Sequence, residues 1–273
     1  TYGGSAVLCG LAAWLTDAEQ PLRKWLEAAT LHLAVLTLAA ETRYWLYDGN
    51  IFVKDYTLLE ATINTALWAA IGITYWYRSC ASESLKLYNL FCSRLLLCMA
   101  IVNYGVVTVF LNPIWLRDAV AHTPVWNILL ASFGIPLLLS TFCLFFYDQK
   151  YKRIAAVLTG ITLFVFINME IRHLWERLMY INLPVSEPEL YTYSVVWLVL
   201  AIVVILLAAK NGKKAIYKSG MALLMVVIGK IFLVDMSGLE GLLRVASFMG
   251  LGLSLLGLAF LYQKMTVSRE AGD

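Results

Sequence analysis

The chain has 273 residues, a formal net charge of +3, 61% hydrophobic residues and 14% charged ones, with a mean hydropathy of +0.74. A soluble domain carries about 25% charged residues. This composition therefore excludes one water-soluble core and indicates a polytopic membrane protein. The small net charge, with no block of Lys and Arg, offers no footprint for nucleic acid.

A spanning helix needs about 20 mostly apolar residues, because in lipid only a helix or a closed barrel satisfies its own backbone. The runs here are too long and continuous for barrel strands. They predict an all-α, polytopic transmembrane helix bundle of about nine spans: 3–16 (short), 25–47, 57–77, 87–110, 126–147, 154–175, 190–209, 215–235 and 240–262. The loops between them are short, so no separate soluble domain is expected. The first run lacks a basic n-region and a cleavage site, so it is not a signal peptide. A start at Thr1 and not at Met is expected of a piece of a longer protein.

Lys and Arg set the orientation. One set of loops holds Arg23 and Lys24, Arg78 and Lys86, Lys150, Lys152 and Arg153, and Lys210, Lys213, Lys214 and Lys218, with Lys264 and Arg269 in the tail. The opposite loops hold Lys54, Arg117 and Arg177. Thirteen against three makes the basic loops cytoplasmic. The expected location is the bacterial cytoplasmic membrane, with the start of this chain outside and its end inside.

A shift of 129 residues aligns Glu41 with Glu170, Arg43 with Arg172, Glu60 with Glu189, Trp68 with Trp197 and Tyr88 with Tyr217. These residue types are rare in spans. The reading is a parallel internal repeat of four spans, its halves related by an axis along the membrane normal. The domains expected are 1–24 (a short first span and loop), 25–150 (first repeat) and 151–273 (second repeat and cytoplasmic tail). Lys230 and Asp235 have no counterpart in the first half, where Ile101 and Val106 stand.

The stretch 230–265 carries Lys230 and Asp235, a short loop, then Arg244, Val245, Ser247 and Phe248, a Gly-rich span with Gly250 and Gly252, and Tyr262. This pattern resembles the C-terminal signature of a large family of bacterial multi-span membrane proteins known only as a domain of unknown function. LNPIW (111–115) and PVWNILLASFGIPLLL (124–139) resemble that family's middle region. The resemblance implies a cell-envelope membrane protein, usually part of a longer chain, with no settled activity and no catalytic residues to carry over.

The charges fall near the extracytoplasmic surface in the expected orientation. Glu41, Arg43 and Glu60 form one group; Glu170, Arg172, His173 and Glu189 a second; Lys230, Asp235, Glu240 and Arg244 a third. Glu240 and Arg244 are four apart, on one helical face. An ionised side chain facing lipid at mid-bilayer costs about 2.5–3.5 kcal/mol, so each must pair, turn inward or snorkel. Two readings follow. The groups line an outward-open vestibule that binds or transports an envelope lipid, glycan or other anionic molecule, or they are ion pairs that staple a structural subunit. A third reading makes Glu170 and His173, three residues apart, an acid and base of an intramembrane enzyme acting on envelope polymers.

His32, His122 and His173 show no HExxH or Cys/His ligand spacing, so no metal is expected. No cofactor motif is present either. The GLGLSLLG run lies inside a span with no strand before it. The cysteines, with no CxxC pair, read as small core residues. Ser247, Gly250, Ser254 and Gly257 form a small-residue stripe suited to close helix packing. Trp45, Trp115, Trp126 and Trp175 are placed as an interfacial belt. The partners expected are membrane lipids and other membrane subunits or the rest of a longer chain.

Overall fold

A computed structural model of the chain describes residues 2–17, 21–81, 83, 85–116, 120–121, 123, 125–176, 179, 182–235, 245, 248–257 and 259. Among these residues every regular element is helical. In order they are α1 (Tyr2–Leu15), α2 (Pro21–Leu46), α3 (Leu58–Ala81), α4 (Lys86–Val109), α5 (Pro113–Leu116), a π turn (Leu130–Gly134) leading into α6 (Ile135–Phe146), a 3-10 turn (Gln149–Tyr151), α7 (Lys152–Trp175), α8 (Glu187–Lys210) and α9 (Lys214–Lys230), which runs into a second π turn (Ile231–Asp235). A short apolar helix follows at Phe248–Gly257. Each expected apolar run thus falls on helix, the last one only in part, since much of 240–262 lies outside the described residues.

Length and composition separate these helices. Among the described residues, Lys86–Leu116, Gln149–Trp175, Glu187–Lys210 and Lys214–Asp235 are long and apolar enough to cross a membrane. The helices α2 and α3 are long enough, with 26 and 24 residues, but more polar. Arg23, Lys24, Glu27, Glu41 and Arg43 lie on α2, and Glu60 and Arg78 on α3. The helices at Tyr2–Leu15, Leu130–Phe146 and Phe248–Gly257 are apolar but short.

The chain forms two compact units, Thr1–Asn182 and Leu183–Asp273. In the first, α1 packs on α2, α2 on α3, α3 on α4 and on α6, and α6 on α7. The α3–α4 pair makes the most extensive contact in this unit, and small residues line it. Ala61, Thr65, Ala69 and Gly72 recur along the buried side of α3. A Cβ at Gly72 would stand 3.0 Å from Leu97 Cγ and 3.2 Å from the Ser93 carbonyl oxygen. Leu58, Ala61, Tyr104, Val107, Leu129, Phe133 and Met179 make the core of this unit, with Val165, Phe166 and Met169 of α7 against it. In the second unit α8 packs on α9. A Cβ at Gly220 would reach within 2.8 Å of Ile205 Cγ1 and 3.2 Å of Ile205 N. Small contact residues bring backbones together where lipid leaves little hydrophobic drive for helix association.

Large apolar side chains cover the outside of the long helices, among them Leu95, Ile154, Val199 and Val226. Such a surface needs lipid or other helices around it. Trp45, Trp115, Trp126 and Trp175 are all exposed. Of the cysteines, Cys92 is buried, Cys9 and Cys143 are half-buried, and Cys80 and Cys98 are exposed. The reading of all five as core residues therefore fails for two, whose thiols face outward from helix surfaces.

Candidate functional site

Of the charged groups the sequence singles out in the first unit, one forms a closed pair and one an open pair. Thr57 caps α3: its carbonyl accepts the Ala61 N–H at 2.9 Å and its hydroxyl accepts the Glu60 N–H at 3.3 Å. Thr57 and Glu60 have the spacing of a capping box, yet the Glu60 carboxylate turns elsewhere. One oxygen meets Arg43 Nε at 2.9 Å and the other accepts the Tyr47 hydroxyl at 2.8 Å. Arg43 also donates to the Val53 carbonyl at 2.7 Å and lies 5.5 Å from the Tyr47 ring centroid. Its Nε–H has no aligned acceptor, so the approach to Glu60 is a charge contact and not a directed hydrogen bond. The Glu60 side chain is 3% exposed, and a carboxylate buried that far requires such partners.

A second network ties the 47–57 loop down. The Tyr56 hydroxyl donates to Asn103 Oδ1 at 2.8 Å and accepts from Asn64 Nδ2 at 3.3 Å. Asn103 Nδ2 donates to the Ala61 carbonyl and to Thr65 Oγ1 at 2.7 and 2.8 Å. Burial pushes the Tyr56 hydroxyl above its ordinary pKa, against the lowering effect of the Asn64 and Asn103 hydrogen bonds. Tyr47, Tyr56 and Asn103 escaped the sequence reading. Asn103, an amide inside an apolar helix, was the available signal.

Glu41, expected beside Arg43 and Glu60, is exposed, and among the described residues no ion pair includes it. It lies two residues from Arg43, on another side of the helix.

The last turns of α7 hold the open pair. Ile171, Arg172 and His173 are buried. Glu170 Oε2 accepts the Val125 N–H at 3.4 Å, and His173 Nδ1 lies 3.4 Å from Asn127 Nδ2. Glu170 Oε1 and His173 Nε2 are buried, and among the described residues neither has a hydrogen-bond partner. Glu170 and His173, three residues apart on one face, do not bond each other: each turns to the 125–127 segment. Arg172 and His173 in the last turn suit the negative end of the helix dipole.

In the second unit Ser186 precedes α8, with Glu187 and Glu189 in its first turn, where acids suit the dipole. Glu189 is fully buried. Lys230 ends α9 and Asp235 ends the π turn. The i→i+5 register of that turn brings these two side chains together, five residues apart. Lys230 Nζ donates to Asp235 Oδ1 at 2.6 Å, to Ser194 Oγ at 2.7 Å and to the Leu190 carbonyl at 2.9 Å. Ser194 donates to the other Asp235 oxygen. All three ammonium protons are used.

Gly250 lies against the Phe232 ring, 3.2 Å from where its Cβ would stand. Ser254 and Gly257 of the small-residue stripe are exposed. Glu240, Arg244, Ser247, His122, Arg117 and Arg177 lie outside the described residues. Among the described residues no group of three or more His, Cys, Asp or Glu side chains is placed to hold a metal.

No curated protein and no solved structure matches the chain. A family model described as a predicted membrane protein (DUF2339) matches residues 2–265. With nearly the whole chain matched and its helices apolar, the chain belongs to this family of membrane proteins.

Proposed function

We propose that the chain is a multi-pass protein of the bacterial cytoplasmic membrane whose outward end binds or passes a hydroxyl-bearing envelope molecule, a glycan or a lipid headgroup. The observation that carries this is the pair of orphaned atoms, Glu170 Oε1 and His173 Nε2. A buried polar atom left unmade costs about 1–3 kcal/mol. A carboxylate oxygen accepts and an imidazole nitrogen accepts or donates, which suits a hydroxyl group. A glutamate and histidine placed together are also what the acid–base reading of an intramembrane enzyme would use.

The reading includes nine crossings, the basic loops inside, the start of the chain outside, and parallel repeats at 25–150 and 151–273 after a first segment at 1–24. Two observations support it. Arg43 with Glu60, and Glu27 with Arg78 and Arg23, pair the charges that make α2 and α3 polar. The bounds of α3, shifted by 129 residues, become those of α8. The competing reading, a structural subunit with ion pairs as staples, is favoured by the saturated Lys230 cluster.

The test is an experimental density map of the protein taken from its native membrane in mild detergent. Non-protein density within hydrogen-bond distance of Glu170 and His173 is expected. Closed packing, or a single water bridging the two, would favour the structural subunit.

A further inference from the structure

The first unit also holds a cavity of about 370 Å³ with an almost wholly apolar lining. Its floor is made by α3 and α6 and its walls by α4 and α7. Small residues create it: Ala69 on α3, Ser140 on α6 and Ala155 on α7 leave room where larger side chains would close the helices. Cys98, Ile101 and Ile154 at its rim are exposed, so it is a groove open on one side. From Arg94 to Tyr104, both in its lining, α4 rises about 15 Å. That is half of a hydrocarbon core about 30 Å thick, the depth of one leaflet.

One end of the groove is cationic. Arg94 lies 5.4 Å and Lys150 5.7 Å from the centroid of the same Tyr151 ring. Lys152 and Arg153 follow, and Asp148 is the sole acid in 148–153. The Asp148 carboxylate is turned to the Lys150 backbone N–H at 3.0 Å. Among the described residues no carboxylate lies within ion-pair distance of Arg94. Arg94 lies two turns inside α4, in a segment that continues to Leu116 and spans 31 residues. α4 itself ends at Val109 and is about 36 Å long, and the Arg94 guanidinium reaches the Tyr151 ring in the turn between α6 and α7, close to the hydrocarbon boundary. A cation there, with no acid of its own and a leaflet-deep apolar groove beneath it, is complementary to a phosphate that carries an acyl chain. Basic pockets between spanning helices recognise anionic headgroups in this way.

We propose that this groove holds one acyl chain of an anionic glycerophospholipid, with its phosphate between Arg94 and Lys150. The site is separate from Glu170 and His173 and stands whether or not the outward site binds a ligand. Arg94 and Lys150 set the charge preference. The walls set affinity for the chain.

The test is native mass spectrometry of the chain in mild detergent, titrated separately with palmitoyl-oleoyl phosphatidylglycerol and with the phosphatidylcholine of the same chains. One phosphatidylglycerol is expected to be retained about tenfold more tightly, a factor equal to about 1.4 kcal/mol. Arg94→Gln should bring the two lipids level. Cys98→Trp, at the exposed rim where added bulk leaves the packed core alone, should weaken both. Circular dichroism and a monodisperse elution profile check that each variant is folded. Equal retention of both lipids, unmoved by either substitution, means annular lipid only and overturns the site. Retention lost in Cys98→Trp, with a preference that neither Arg94→Gln nor Lys150→Gln moves, overturns the phosphate assignment. A lipid-free dimer as the main species assigns the groove to a second copy and overturns the proposal.

Discussion

Lys230 in the second unit and Glu170 in the first are both charged residues near the end of an apolar helix, and their surroundings are opposite. Lys230 spends every proton on Asp235, Ser194 and a backbone carbonyl, with its side chain 14% exposed and that of Asp235 3% exposed. Glu170 has one weakly bonded oxygen and one bare one, beside a histidine in the same condition. A saturated cluster has nothing left to offer a ligand. An unsaturated one costs stability, and that cost is the ground on which the proposed outward site rests. Charge alone does not distinguish the two; hydrogen-bond saturation does.

The largest effect is expected at the saturated cluster. Lys230→Met strands a buried Asp235, and breaking a buried pair in this way costs about 3–5 kcal/mol. Thermal unfolding in detergent should show it as a large loss, and the double variant Lys230→Met/Asp235→Leu should recover most of it. A small loss in the single variant would put the Lys230 cluster in the same class as Glu170.

Next come the close helix contacts. Gly220→Val forces a side chain against Ile205, and Gly72→Val one against Leu97 and the Ser93 carbonyl. Overpacking of this kind costs about 1–3 kcal/mol. A backbone atom cannot swing aside as a side chain can, and both glycines face one at 3.2 Å, so the two losses should be similar. Glu60→Gln should cost about 1–3 kcal/mol, because Arg43 and Tyr47 lose a charged acceptor. The melting profile, or faster proteolysis within the 47–57 loop, would read it.

The smallest effect on stability is expected at the open pair. Glu170→Leu removes an unsatisfied group and should be neutral or stabilising by about 1 kcal/mol, while ligand density or transport is lost. A destabilisation as large as that of Lys230→Met would make Glu170 structural and collapse the comparison.

Much of the fold was legible because long apolar runs leave a chain few options in lipid. The ends of α7 and α8 fall within a few residues of those read from hydropathy. The pairing of Arg43 with Glu60 was legible as well, since two opposite charges on consecutive helices have few other partners. Glu41 was misjudged, because hydropathy carries depth but not direction: two residues from Arg43 it points elsewhere. Tyr47 and Tyr56 were missed, since tyrosines near helix ends read equally as an interfacial belt.

The sequence by itself determined that the chain is helical and membrane-embedded, and which residue types carry charge, because burial of about 20 apolar residues in a row is a local property of the chain. Only the tertiary structure decided which of those charges are satisfied. A π turn aligned Lys230 with Asp235, and small residues on α3, α6 and α7 opened a groove beneath Arg94. Both depend on how neighbouring backbones approach one another, and that distance is set by side chains far apart in the chain.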